Sequence, residues 1–365
     1  MTLSAPTAAE LLAAPRGRRL CLELALAAEP GLSAVVLDAE RAFHPADGSV
    51  AVLRFGEGAD EPMPPPAEPA EVRRAIDRIP RAVVEAVLAD DAMLLGRLAA
   101  TVDGARYWQP PDARDALAAV PEVASSLARI AEALAAGGPL DRWSAPFDGS
   151  GWRVEFETAR SDPHWPGDPD AVLAAWDEAS AREEAHFAAE ATAHPEVLWS
   201  GSWWSWPTRL ASTSDAVAGT PCGLALVEDD PLWSDALVTP ARGTGRVLEL
   251  DEEAWVGLCR EYPQDVSASR RGDWGRTTGR TGAWVLPDWS AVAAEWDAVH
   301  LPIAQYLVLA GRPLAVDAER ASLIAGWSPG VTAWLRGLVR TTGEPERWRR
   351  PDSGEWARVT PPPQP

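Results

Sequence analysis

Between Ser267 and Gly282 the chain reads Ser-Ala-Ser-Arg-Arg-Gly-Asp-Trp-Gly-Arg-Thr-Thr-Gly-Arg-Thr-Gly, with four arginines and one aspartate in a protein of formal charge −21. The guanidinium groups of Arg270, Arg271, Arg276 and Arg280 are bidentate donors suited to phosphate or carboxylate. Thr278 and the interleaved glycines add a hydroxyl and close-lying backbone N–H groups, and Trp274 adds a ring face. The stretch predicts a loop that recognises a small anionic ligand or an acidic protein partner. A second reading stays open, in which the same arginines pair with the protein's own carboxylates, for instance on the acidic helix expected after Asp168, and stack on nearby tryptophans.

Asp297 and His300 are the other candidates for chemistry. In a helix running through Trp289, Val292, Trp296 and Val299, spacing i,i+3 puts them on one face as an acid and base pair. That pair would serve an enzyme acting on a phosphorylated or carboxylated substrate, the alternative to a binding or interaction protein. Equally, the imidazole can be held structurally by the carboxylate or by a backbone carbonyl. Trp203 and Trp204, in Leu198-Trp-Ser-Gly-Ser-Trp-Trp-Ser-Trp206, suit a stacking platform, although neighbours on a strand face opposite ways and one of them then belongs to the core.

Several chemistries are absent. Gly279-Arg-Thr281 has the end of a phosphate-binding loop but neither the first glycine nor the lysine, and a strand is expected after it in place of a helix. No nucleophile elbow, His-Glu-x-x-His helix or Gly-x-Gly-x-x-Gly turn occurs, so no cofactor is assigned. His164, His186 and His194 lack ligand spacing, and no metal is assigned. Cys21, Cys222 and Cys259 are odd in number and far apart, which fits a reducing cytoplasm. The acidic balance argues against nucleic acid and anionic membrane as partners. No basic segment precedes an apolar run at the N-terminus, and no apolar run is long enough to span a bilayer.

The elements that must position these residues follow from local signals. Thr7-Ala-Ala-Glu10 is a capping box, Pro15 ends that helix, and Arg19 to Ala28 forms the next. A strand is expected at Ser49 to Phe55, followed by a Pro-rich linker. From Pro69 to Gly138 the pattern is helical, with Pro69, Pro80, Pro111 and Pro121 opening new helices and Leu127, Ile130 and Leu134 facing one core. One of the 19 tryptophans precedes Ala136-Gly-Gly-Pro139, which marks the boundary. Beyond it, Trp152, Val154 and Phe156 alternate as a strand, Asp168 caps a long helix to about His194, and Asp251 caps another. Strands are expected at Cys222 to Val227, Arg246 to Leu250 and Trp284 to Leu286, with closing helices at Ala321 to Gly326 and Val331 to Val339.

The fold class is therefore α+β, with a helical domain over 1–138, a Trp-rich α+β domain over 141–345 and a Pro-rich tail over 346–365. Gly201-Ser-Trp-Trp-Ser205, Ser269-Arg-Arg-x-Asp-Trp-x-Arg-Thr-Thr-Gly279 and Pro287-Asp-Trp with Glu295-Trp-Asp-Ala-Val-His-Leu301 together resemble a Trp-rich family of high-GC bacterial proteins. The resemblance covers the second domain and implies no activity, catalytic residue or substrate.

Overall fold

A computed structural model describes residues 3–43, 65–157, 166–351 and 354–359. The strand expected at 49–55, the first part of the Pro-rich linker, and the end of the tail lie outside the described residues. The fold is α+β, with helices filling the N-terminal half and sheets concentrated in the C-terminal half.

Local chemistry explains the helix starts. Thr7 and Glu10 form a reciprocal capping box, and Pro15, Pro69, Pro121, Pro139 and Pro169 each stand in the first turn of a helix, where a missing N–H costs nothing. The Asp168, Asp251 and Asp288 carboxylates accept N–H groups at the starts of Pro169–Ala193, Glu252–Glu261 and Trp289–Glu295. One continuous cluster of buried apolar side chains runs from Leu11 to Leu335 and so spans both sides of the Gly138 junction. Within it the helix Ile303–Leu309, buried at every residue, packs against Pro15–Ala28.

The main sheet has nine strands among the described residues. Their order is Ala357–Arg358, Glu346–Arg349, Asp235–Gly243, Ser150–Phe156, Ser212–Ser214, Val331–Trp334, Ala298–Leu301 and Val247–Glu249, with Val339–Thr341 also paired to Asp235–Gly243. All its pairings are antiparallel except that of Val247–Glu249 with Ala298–Leu301. A smaller sheet orders Leu314–Ala315, Arg320–Ser322, Ala283–Pro287 and Pro263–Asp265.

Several elements differ from the sequence expectation. Ala321 and Val331 begin no helices: Arg320–Ser322 pairs with Ala283 and Trp284, and Val331–Trp334 lies between two strands of the main sheet. Long-range ladders override local propensity at both places. Cys222–Ala225 is a single helical turn, not a strand. Residues 267–282 hold two short helices, Ser267–Arg270 and Asp273–Thr278, closed by Gly279 at φ 69°. In the expected tail, Glu346–Arg349 is a sheet strand and Trp348 is buried. Among the described residues no helix is long and apolar enough to cross a membrane.

Candidate functional site

The helix expected to carry both Asp297 and His300 ends at Glu295, and Ala298–Leu301 is a strand. Three residues along a strand point to opposite faces, so the expected acid and base pair is taken apart. Asp297 instead accepts the Arg246 N–H at 2.7 Å and lies 3.4 Å from the Arg336 guanidinium.

His300 acquires other neighbours from the register. It stands directly opposite Thr332 on one side and Glu249 on the other, and Thr332 stands opposite Thr213. Residues directly opposite in a sheet share a face, so Glu249, His300, Thr332 and Thr213 form one row, and Asp215 follows two residues beyond Thr213. The imidazole Nδ1 is 2.9 Å from Thr332 Oγ1. Its Nε2 has no hydrogen-bond partner and lies 3.6 Å from Asp215 Oδ2 and 3.9 Å from Glu249 Oε2, which is likewise unpartnered. Phe147 closes this side, with its ring 5.8 Å from the imidazole and its N–H donated to Glu249 Oε1 at 2.8 Å.

Burial sets the electrostatics of the group. It pushes the fully buried His300 down to about 3, so the ring is neutral. Burial pushes Asp215 up to about 7, with the Asp148 charge adding to the effect, and pushes Glu249 up to about 7 against the opposing Phe147 N–H. Asp215 alone of the three lines a cleft of about 470 Å³, whose wall also carries Asp91, Arg142, Asp148, Ser150 and Trp152. Three carboxyl groups there face a single guanidinium, and Arg142 is already 3.1 Å from Asp91.

The arginine stretch lies elsewhere, and each of its four arginines donates to a partner within the chain. Arg270 is buried and donates to Glu183 at 2.9 Å, from the acidic helix after Asp168. Glu184, next on that helix, accepts the N–H groups of Ala268 and Ser269. Arg271 donates to the Pro195 and Val197 carbonyls, and Arg276 to Asp273 and to the Leu198 and Trp108 carbonyls. Arg280 donates to the Ala283 and Glu319 carbonyls while lying 4.8 Å over the Trp284 ring. Thr278 donates its hydroxyl to the Trp274 carbonyl, and buried Trp274 donates its indole N–H to the Trp203 carbonyl. Trp203 is half-buried and stacks at 5.0 Å on Trp204, which is exposed. Replacing Arg276 and Arg280 together by Gln is expected to lower the melting temperature with no ligand present. An unchanged midpoint would release these arginines for an outside anion.

His300 was legible in the sequence as an ionisable residue in an apolar segment, but Asp215 and Glu249 were not. Asp215 sits in a Ser/Thr loop without a motif, and Glu249 is one acidic residue within a short strand. Only the alternation in Ala-Val-His-Leu, read with period two, would have turned His300 away from Asp297. Among the described residues, no group of three or more His, Cys, Asp or Glu side chains is placed to hold a metal ion. Comparison with family models, curated proteins and solved structures finds no match to this chain.

Proposed function

We propose that the chain binds a small polar molecule, neutral or positively charged, in the cleft beside Asp148 and Asp215, and that Asp215 exchanges a proton with it. The observation that carries this reading is the buried His300 Nε2, unpartnered and facing the Asp215 and Glu249 carboxyl oxygens. In the tautomer that carries its proton on Nδ1 and donates it to Thr332, Nε2 turns a lone pair toward the two carboxyls, and a shift of under about 1 Å would bring a protonated Asp215 into hydrogen-bond reach. A carboxyl poised near neutrality at the wall of a cleft can both give and take a proton at physiological pH. The excess of carboxyl groups disfavours an anionic ligand and favours an amine or a neutral polyol or amide.

A carbon-13 NMR titration of the side-chain carboxyls tests the proton chemistry. Apparent midpoints near 7 for the Asp215 and Glu249 pair are expected, and midpoints near the ordinary carboxylate value of about 4 would sink the proposal. For binding, a thermal-shift screen at pH 7 should find amines or neutral polar compounds whose stabilisation disappears in Asp215→Asn. Hits confined to acids, or indifferent to that substitution, would point away from this cleft.

The same groups make stability depend on pH with a definite sign. The folded chain keeps protons on Asp215 and Glu249 that the unfolded chain has released, so their contribution falls as pH rises from about 4 to about 7 and is level above that. His300 acts oppositely, costing stability as pH falls from 6.5 to about 3. Asp215→Asn should therefore gain in melting temperature over the wild type from about pH 5 upward, with the gap widening to about pH 7 and level beyond it. A gap that is constant with pH would mean that Asp215 titrates normally.

A partner-binding reading has its own support. Trp108, Leu198 and Trp199 are exposed, and the Trp108 and Leu198 carbonyls are both held by Arg276. Exposed indoles rimmed by arginine are the composition of a protein-recognition patch. Loss of a captured partner on Trp199→Ala, with folding intact, would support this surface.

A further inference from the structure

The main sheet splits beside the proposed site. Ser150–Phe156 and Ser212–Ser214 are neighbours, yet only Trp152 and Ser214 pair. Gly151 permits this single close approach, since a Cβ there would stand 3.1 Å from the Ser214 carbonyl oxygen. Continued antiparallel pairing would set Val154 opposite Ser212, and among the described residues that pair is not formed.

The hydrogen-bond alternation says what the opening contains. The Glu157 N–H donates to Asp235 and the Gly243 N–H to Gly149, so the odd-numbered residues of Ser150–Phe156 turn their backbone groups toward Asp235–Gly243. Val154 and Phe156 then turn theirs the other way, into the split. Across the gap, Asp215 donates to Gly330 and Trp334 to Ala211, so Ser212 also turns its N–H and C=O into the split.

A cleft of about 580 Å³ occupies this opening, the size of a small-molecule site, walled by Trp152, Val154, Phe156, Trp206 and Trp233. Phe156 and Trp233 stack at 4.2 Å and present a flat wall. Inside it Ser214 is 2% exposed, and its hydroxyl has no partner. That hydroxyl and a Val154 methyl lie beside Gly223 in the lining of the cleft, since a Cβ on Gly223 would stand 3.2 Å from Ser214 Oγ and 3.6 Å from the methyl. Glu155 and Glu157 among the lining residues disfavour an anion.

The geometry points to a second binding site, for a flat, neutral, apolar molecule bearing a carbonyl acceptor. The aromatic walls cover its faces, while the unpartnered Ser214 hydroxyl and the Val154 and Phe156 N–H groups turned into the split supply donors. Trp152 and Ser214 border both clefts, but Asp215 borders only the first, so this site does not depend on the proton chemistry at Asp215.

The probe is 6-propionyl-2-dimethylaminonaphthalene, a neutral planar ketone whose emission shifts to the blue on leaving water. Saturable one-to-one binding is expected, with amide hydrogen exchange at Val154 and Phe156 slowed when the probe is bound. Thr208→Trp, which fills the cleft from its rim, should weaken binding at least tenfold by about the 1.4 kcal/mol that a decade represents. Trp233→Ala should weaken it as well, and Asp215→Asn should leave it unchanged. Absence of saturable binding to the wild type would overturn the assignment. So would probe binding that leaves both amides unprotected, since the probe would then sit elsewhere.

Discussion

Trp327→Ala is expected to destabilise the protein by about 3–5 kcal/mol, the range for emptying the space of a large buried aromatic. Trp327 is fully buried and sits among three other indoles, stacked on Trp206 at 5.1 Å, tilted on Trp289 at 5.8 Å and edge-on to Trp255 at 6.4 Å. Its indole N–H also donates to the Val331 carbonyl at 3.1 Å, so the truncation removes a hydrogen bond together with ring contacts. Trp296 provides the contrast. It is half-buried, with the Arg246 guanidinium 4.7 Å over its ring, and Trp296→Ala should cost only about 1–2 kcal/mol. Urea unfolding of both variants checks the ordering, and equal losses would mean that the indole cluster is not the centre of the core.

Asp115→Ala should cost a similar amount, about 3–5 kcal/mol, because it removes the counter-charge of buried guanidinium groups. Asp115 receives a hydrogen bond from Arg16 and one of 3.1 Å from Arg19, and both arginines are buried. Arg19 keeps Asp112 and Glu23, whereas Arg16 keeps only the Thr101 carbonyl among its hydrogen-bond partners, so the penalty falls mainly on Arg16. Replacing the pair together, as Arg16→Met with Asp115→Leu, should recover much of the loss, since no unpaired charge then remains in the interior. The loss in Asp115→Ala should also persist in high salt, because a buried pair is little screened. A single variant that unfolds at the wild-type urea concentration would show that water reaches this network.

The candidate site was harder to read than the fold, and the failure has a specific cause. His300 stood out, but its partner depended on whether residues 296–300 were helical or extended. An apolar run with one histidine carries both periods weakly, and the ladders to Val331–Trp334 and Val247–Glu249 decided between them. Val331–Trp334 itself, read as a helix, shows the same dependence on neighbours far along the chain. For the arginine stretch, charge and glycine content located an anion-seeking segment and left its anion open. The Glu183 carboxylate meets Arg270 across 87 residues of chain, a distance no local pattern encodes.

What the sequence by itself determined is what closes within a few residues. The Thr7 capping box, the Asp168, Asp251 and Asp288 caps, the prolines that open helices and the alternation of Trp152, Val154 and Phe156 all rest on groups two to four positions apart. Their hydrogen bonds and side-chain directions form whatever the rest of the chain does. The tertiary structure alone decided the Glu249, His300 and Thr332 row, the approach of Asp215 to His300, the split between Val154 and Ser212, and the engagement of each arginine between 270 and 280. These depend on strand register and on low-dielectric surroundings. A slip of one residue would turn His300 to the other face, and only burial among neighbours distant in sequence moves a carboxyl toward neutrality.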